Sequence, residues 1–215
     1  IDSRESIDEV IRISKLHRKE IQRTEDWPGF LASEWKQLNR YHKVGMFDEP
    51  VIAESHMTIL PWVWTYLYKE GEGGKDLTKS RGTCNGSPRF FSPRSIGETY
   101  AACVEQPIHR LTWALSAALG LIYKGYDVGN AFTEAPASKF NFYMKPDEQF
   151  RQWWVECLGK PALKPNKVIP IRHALQGHPE SPRLWTKYID KMLIEEMKFK
   201  ACTHEPWLYY RFDNN

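Results

Sequence analysis

The chain has 215 residues, 41% of them hydrophobic and 13% aromatic, and a formal net charge of +3. It is long enough for one large domain or two small ones and is not disordered in composition. A charge this close to neutrality is by itself no argument for a nucleic-acid partner. No apolar run approaches the roughly 20 residues that span a bilayer, and the polar, acidic N-terminus, IDSRESIDEV, is unlike a signal peptide.

The first elements in chain order are two helices. Residues 6–22 predict an amphipathic helix that opens with an S-x-x-E capping box and ends before Trp27. A second helix is expected to end near Gly45. Its predicted apolar face consists of Leu31, Trp35 and Leu38. We assign residues 1–28 to an N-terminal helix and linker, and residues 29–215 to the main domain.

The middle of the chain predicts a β-hairpin and a long apolar helix. The stretches ILPWVWTYLYK and LTKSRGTC are rich in strand formers and flank the turn GEGGKD. Pro107 opens a helix that is expected to end at Lys124-Gly125. The apolar stripe of this helix consists of Ile108, Leu111, Leu115, Leu119 and Ile122.

The last third of the chain mixes strands and helices. FNFYMKP, KVIPIRHAL and WLYYRF predict short strands, and Ser181-Pro182 begins a helix. The apolar positions of that helix are Trp185, Ile189, Met192 and Leu193. This irregular order favours an α+β fold over a regular βαβ winding.

The four cysteines are scattered and form no CxxC pair or Cys/His cluster, which argues against a zinc site. They are Cys84, Cys103, Cys157 and Cys202. Unpaired thiols in a chain without a signal peptide are typical of a reducing compartment. We therefore expect an intracellular, non-secreted protein whose thiols are buried or indifferent.

YDVGNAFT, residues 126–133, places Asp127 directly after the apolar helix, at the end of a short extended run. A carboxylate near a core is costly unless a positive group meets it, so a salt bridge, a helix cap and a metal ion all stay open. Mg²⁺ prefers oxygen ligands, and the carbonyl of Val128 could add one. Phe132 could close the floor under a bound sugar and exclude a 2′-hydroxyl by its bulk. The alternative is that Asp127 caps a turn and Phe132 is core.

ALQGHPESPRLW, residues 174–185, joins a predicted strand to a helix through Gln176 and Gly177. Glycine lets a backbone approach a ligand closely, so Gln176 could lie against a nucleotide and its template base. An ordinary strand–turn–helix junction explains the stretch equally well.

Collinear motifs from about residue 30 to residue 212 resemble the reverse transcriptase domain of Ty1/copia-type retrotransposon polyproteins. That family carries a WxxE helix, a WV-x-K hairpin with a K-x-R return strand, an ETYAPV stretch, an apolar helix, D-V-x-x-A-F, a YM-x-x-P strand, L-x-G-x-x-x-S/A-P-R-x-W and a glycine-Phe…H-E-x-x-x-Y segment. The matching stretches here are SEW (33–35), PWVWTYLYK (61–69), KSR (79–81), ETYAACV (98–104), IHRLTWALSAALG (108–120), DVGNAF (127–132), FYMKP (142–146), LQGHPESPRLW (175–185) and MKFKACTHEPWLYY (197–210).

The resemblance implies a right-hand polymerase, with fingers and a partial palm built as an antiparallel sheet packed with helices. Asp127 matches the first metal-binding aspartate of the palm, with the Val128 carbonyl beside it. Phe132 matches the aromatic sugar gate. Gln176 and Gly177 match the segment that supports the incoming nucleotide.

The resemblance also implies roles for basic residues. Lys79 and Arg81 lie on the hairpin return strand, where such enzymes hold the triphosphate, and their chemistry suits phosphate oxygens. Without the family, two basic residues on a hairpin are usually a solvated face. Arg172 and Arg183 are candidates for contacts with the nucleic-acid backbone, alongside Arg89 and Arg94, and surface solubility is the alternative for each.

The implied activity is RNA-directed DNA synthesis, in which a dNTP is transferred to a primer 3′-hydroxyl. Mg²⁺ or Mn²⁺ is the implied cofactor, as two ions about 4 Å apart. The implied partners are an RNA template, a DNA primer or hybrid, and the integrase and RNase H parts of the polyprotein, with no membrane. The implied location is a cytoplasmic retroelement particle with access to the nucleus.

Some features depart from the family. The chain contains no Asp-Asp pair, whereas the family carries a Y/Q-V-D-D hairpin shortly after the position matching Asn215. KSRGTCNG stands where the family has K-A-R-L-V-A-K-G. We therefore expect a polymerase fragment that does not polymerise as this isolated chain. A non-catalytic nucleic-acid-binding remnant of a decayed retroelement is the alternative, and a structural or interaction domain is a third.

Overall fold

The computed structural model describes residues 18–70, 76–92, 94, 96–138 and 142–212. The helices in these ranges are α1 (Arg18–Ile21), α2 (Trp27–Lys43), α3 (Gln106–Ala118), α4 (Glu148–Glu156) and α5 (Ser181–Lys191). The strands are β1 (Val51–Ile52), β2 (Thr58–Glu70), β3 (Asp76–Cys84), β4 (Phe142–Lys145), β5 (Lys167–Pro170), β6 (Lys200–Ala201) and β7 (Tyr209–Tyr210). Single turns of 3₁₀-helix span Pro88–Phe90 and Ala131–Glu134, and a π-helical turn, Met192–Glu196, follows α5.

The five-stranded sheet has the order β1-β5-β4-β2-β3, and β6 pairs with β7 separately. The predicted hairpin is confirmed, since β2 and β3 pair antiparallel from Trp62↔Cys84 to Glu70↔Asp76. The expectation of a purely antiparallel sheet is wrong, because β2 and β4 run parallel. The long connection through β3 and α3 lets the chain return to the same end of the sheet, as a parallel pair requires. The fold is therefore α+β with a mixed sheet.

Helix α2 packs against β3, the strand at one edge of the sheet. Its buried face is Phe30, Glu34, Leu38 and Tyr41. Of the predicted face, Leu38 is buried, whereas Leu31 and Trp35 are only half-buried. Glu34 is tolerated inside because it accepts hydrogen bonds from Tyr66 and Arg18. The main core lies between α2, α4 and the sheet and consists of Leu38, Tyr41, Met46, Leu60, Trp62, Cys84, Phe142, Met144, Phe150, Trp153, Trp154, Ile169, Ile171 and Leu175.

The predicted N-terminal helix lies mostly outside the described residues, which contain only α1 of it. The long apolar helix begins as predicted but ends at Ala118 rather than at Lys124-Gly125, because Gly120 adopts a left-handed φ of +63°. The run before Asp127 is not a strand, since residues 121–128 form no regular structure. The leucines of the α3 stripe are exposed, and no other described element covers them.

Candidate functional site

A cavity of about 780 Å³ opens between α2, β3 and the turn that follows Asp127. Its volume lies in the range of small-molecule and cofactor sites. The lining residues are Gly29, Ala32, Ser33, Lys36, Gln37, Arg40, Tyr41, Thr78, Lys79, Ser80, Arg81, Asp127, Val128, Asn130, Ala131, Phe132, Thr133 and Gln176.

The cavity brings together six of the residues that the sequence motifs single out, although they are spread over almost 100 positions of the chain. These six are Lys79, Arg81, Asp127, Val128, Phe132 and Gln176. Gly177 is the next residue after Gln176 and lies outside the lining, and Arg172 and Arg183 also lie outside it. Three separate motif segments therefore meet at one concave surface, together with α2.

The described lining carries four cationic side chains and a single carboxylate, that of Asp127. Lys79 and Arg81 come from β3 and are half-buried. Sequence reasoning missed the other two, Lys36 and Arg40, which lie one helical turn apart on the exposed face of α2. An i, i+4 pair of cations on a polar helix face is a common pattern, and only the packing of α2 on β3 turns it toward a site. The cavity is consequently suited to an anion.

Side chains of α2 hold the outer edge of β3. The Ser33 hydroxyl accepts a hydrogen bond from the Ser80 amide at 2.9 Å, and the Gln37 carbonyl oxygen accepts one from the Gly82 amide at 2.6 Å. The Ser80 hydroxyl donates in return to the Phe30 carbonyl at 2.8 Å. These contacts satisfy edge-strand groups that would otherwise lack strand partners, and they fix the backbone on both sides of Arg81.

The Asp127 segment is held through the turn that follows it. Asn130 takes a left-handed φ of +59°, and the buried Thr133 hydroxyl donates to the Asn130 carbonyl at 2.9 Å. The Val128 carbonyl, predicted as a metal ligand, accepts a hydrogen bond from the Ala131 amide at 3.2 Å. A carbonyl oxygen has two lone pairs, so one stays available for a cation. Asp127 itself is exposed at the cavity.

Arg40 links this turn to α2. Its guanidinium donates to the Gly129 carbonyl at 3.2 Å, two residues after Asp127. The same side chain therefore contributes positive charge to the cavity and holds the segment that carries the carboxylate. Sequence reasoning had no signal for this contact, which joins residues 89 positions apart.

Gln176 is positioned by close backbone packing against the end of β3. The Cys84 amide donates to the Gln176 carbonyl at 3.0 Å. Gly177 has a φ of +88°, and a Cβ at this position would overlap the carbonyl oxygen of Cys84. Glycine is therefore required here for two reasons, its left-handed backbone and the close approach. The close approach that Gly177 makes in the structure is to the protein's own strand, and the predicted approach to a ligand stays a prediction.

Two groups beside the cavity stay uncharged at neutral pH. Burial raises the pKa of the Tyr41 hydroxyl to about 12, although the nearby charge of Arg81 acts to lower it. Burial likewise raises the pKa of the Cys84 thiol to about 12. Cys84 is thus an inert core residue, and Tyr41 offers a neutral hydroxyl at the base of the site.

The four arginines predicted to contact nucleic acid lie outside the cavity lining, and three of them have a side-chain partner. Arg172 pairs with Asp48, and Arg183 pairs with Glu98 at 3.1 Å. Arg89 lies over the ring of Phe90. Both ion pairs have a well-exposed member, which makes them weak, so either guanidinium can exchange its partner for a phosphate at small cost.

The described ranges contain no group of three His, Cys, Asp or Glu side chains that could hold a metal ion among themselves. A cation at Asp127 would therefore take its other oxygens from the substrate, from water or from a backbone carbonyl. Among the helices that the structure describes, none is long and apolar enough to cross a membrane. No protein-family model, curated protein or solved structure with which the chain was compared matches it.

Proposed function

We propose that this chain is the fingers and part of the palm of a Ty1/copia-type reverse transcriptase, and that its cavity binds a magnesium-complexed deoxynucleoside triphosphate. In this proposal the four cations hold the phosphates, Phe132 lies under the sugar and Gln176 lies beside the base. RNA template and DNA primer are the proposed partners. Synthesis requires carboxylates beyond Asp127, so the isolated chain binds the nucleotide without extending a primer.

The observation that carries the proposal is the convergence of motif residues on one cavity. The KSR, DVGNAF and LQG motifs match the family by residue type and by order along the chain, and neither property requires them to meet in space. Each contributes side chains to the same lining. The chemistry of that lining also suits the ligand, because guanidinium and ammonium groups bind phosphate oxygens and an aromatic ring excludes a 2′-hydroxyl by bulk.

The residues present fit one magnesium ion better than two. A single carboxylate together with substrate phosphates is an ordinary environment for Mg²⁺, and Val128 adds a carbonyl with a free lone pair. Two ions would need further carboxylates near Asp127, and the lining that the structure describes has none. Once bound, the ion would neutralise phosphate charge and orient the triphosphate.

The test is calorimetric titration of the 215-residue chain with dTTP, with and without Mg²⁺. We expect binding that depends on Mg²⁺ and falls at least about tenfold in Asp127→Asn, which keeps the shape and removes the charge. Asp48→Asn is the matched control, because Asp48 lies outside the cavity and pairs with Arg172. Equal affinity of wild type and Asp127→Asn, or templated primer extension by the isolated chain, would contradict the proposal.

The excess of cations over carboxylates favours a second candidate, a non-catalytic nucleic-acid-binding remnant. Four cations can hold a nucleic-acid backbone without a metal ion, and such binding weakens steeply with salt. Salt-sensitive affinity for an RNA–DNA hybrid that is unchanged in Asp127→Asn would select this candidate. Loss of magnesium-dependent affinity for dTTP in Asp127→Asn would select the first candidate.

A further inference from the structure

Gln37 lies outside the sequence motifs, yet its side chain makes hydrogen bonds to the cavity wall. From α2, its carbonyl oxygen accepts from the Gly82 amide at 2.6 Å. Its amide nitrogen donates to the Tyr41 hydroxyl at 2.7 Å and lies 3.4 Å from the Gly82 carbonyl. One side chain thus contacts both backbone groups of a residue on the edge strand, which an amide can do because it carries a donor and an acceptor side by side.

Gly82 is also packed tightly against the core. A Cβ on Gly82 would overlap the indole ring of Trp62, so the strand lies directly on the core at this point. Trp62 is itself buried and packed edge-to-face against Tyr41. Gly82 is therefore fixed from the core side by Trp62 and from the outer side by Gln37. The residue before it, Arg81, lines the cavity.

We propose that Gln37 is a positioning residue for Arg81, which it aims into the cavity by holding Gly82 against Trp62. This inference rests on the proposed function, since it assigns Arg81 to the triphosphate. The side chain of Gln37 is uncharged, and its amide is engaged by Tyr41 and Gly82. Its effect on affinity passes through Arg81, because the backbone that it holds is the backbone from which Arg81 projects.

The test is a double-mutant cycle in the full 215-residue chain, with magnesium dTTP and sodium tripolyphosphate as probes. Arg81→Ala is expected to lower affinity at least about tenfold, as for a charge-assisted hydrogen bond. Gln37→Met, close in size but without the amide, is expected to lower affinity about fivefold in the wild-type background. In the Arg81→Ala background it is expected to change affinity less than about twofold, because coupled residues are not additive.

Gln152→Met is the matched control, because Gln152 lies on the exposed face of α4 and bonds only to Glu156 in the structure described. Gln37→Asn shortens the amide by one methylene and repeats the cycle if the Met variant does not fold. If Gln37→Met lowers affinity equally in the wild-type and Arg81→Ala backgrounds, the inference is overturned and the proposed function stands. The same holds if neither Gln37→Met nor Gln37→Asn lowers affinity. A wild-type chain that binds neither probe would overturn both.

Discussion

Replacing Gly177 by alanine tests how tightly the Gln176 segment is held at the cavity. Gly177 has a φ of +88°, and an added Cβ would overlap the Cys84 carbonyl oxygen and lie 3.1 Å from its carbon. Both atoms belong to the backbone at the end of β3. Neither can move away without shifting the strand that carries Arg81, so the clash cannot be relieved by a side-chain rotation.

The magnitude follows from three contributions. A left-handed backbone costs a non-glycine residue about 1–2 kcal/mol. Forcing a methyl group into packed surroundings costs about 1–3 kcal/mol. Separation of the two segments also weakens the hydrogen bond from the Cys84 amide to the Gln176 carbonyl, worth about 0.5–1.5 kcal/mol. We expect Gly177→Ala to lower the free energy of unfolding by about 3–5 kcal/mol, a large part of the total for a typical domain.

Urea unfolding followed by circular dichroism measures this, and two other glycines separate the causes. Gly159 has a φ of +62° with nothing within 4 Å of the point that an added methyl group would occupy, so Gly159→Ala should cost only the backbone strain, about 1–2 kcal/mol. Gly125 has neither a positive φ nor a neighbour, and Gly125→Ala should change stability by less than about 0.5 kcal/mol. A cost for Gly177→Ala no greater than that for Gly159→Ala would refute the close approach.

Other predictions concern the core and its buried charges. Burial raises the pKa of Glu34 from 4.5 to about 7, so the folded state binds its proton more tightly than the unfolded chain. This lowers the free energy of unfolding by up to about 3 kcal/mol as the pH rises through that interval. Burial lowers the pKa of His178 from 6.5 to about 4, which gives the opposite slope. Glu34→Gln removes the falling contribution of Glu34, so its free energy of unfolding should rise more steeply with pH than that of the wild type in urea titrations, and an unchanged profile would contradict the assignment. Asp147→Ala removes the N-cap of α4 and should cost about 1 kcal/mol in thermal unfolding, more than Asp147→Asn. Leu60→Ala in the core should cost about 2–5 kcal/mol, and Leu115→Ala, on the exposed face of α3, less than about 1 kcal/mol; equal costs would argue that α3 is buried.

Elements with local signals could be predicted from the sequence. Pro107 and Pro182 lie in the first turns of α3 and α5, where a missing amide hydrogen costs nothing. Gly45 follows the end of α2 with a φ of +73°, as the sequence predicts for a helix C-terminus. Strand formers around a glycine-rich turn predict the hairpin of β2 and β3. In each case the residues that determine the conformation are neighbours in the chain.

Features that depend on distant partners could not be predicted. Periodicity alone places Leu31 and Trp35 on the inner face of α2. In the structure the helix instead buries Phe30 and Glu34 together with Leu38, because it packs on the edge strand β3. Glu34 on that face has a polar side chain, and its partners, Tyr66 and Arg18, lie on other elements. The roles of Lys36, Gln37 and Arg40 likewise depend on which strand α2 covers. Spatial clustering of the motif residues is expected only through the resemblance.

The two walls of the cavity differ in how firmly they are held, and this bears on the order in which a ligand would contact them. The wall of β3 and α2 is tied by several hydrogen bonds and rests on the buried Trp62. Asp127 lies within an exposed stretch, residues 119–128, and the turn after it is joined to α2 through Arg40 and Gly129. Under the proposed function, phosphate groups would therefore meet the firmly held wall first, whereas the carboxylate is fixed less firmly. The proposal then predicts that a polyanion binds through the cations first, and that the metal contact at Asp127 forms upon a ligand already in place.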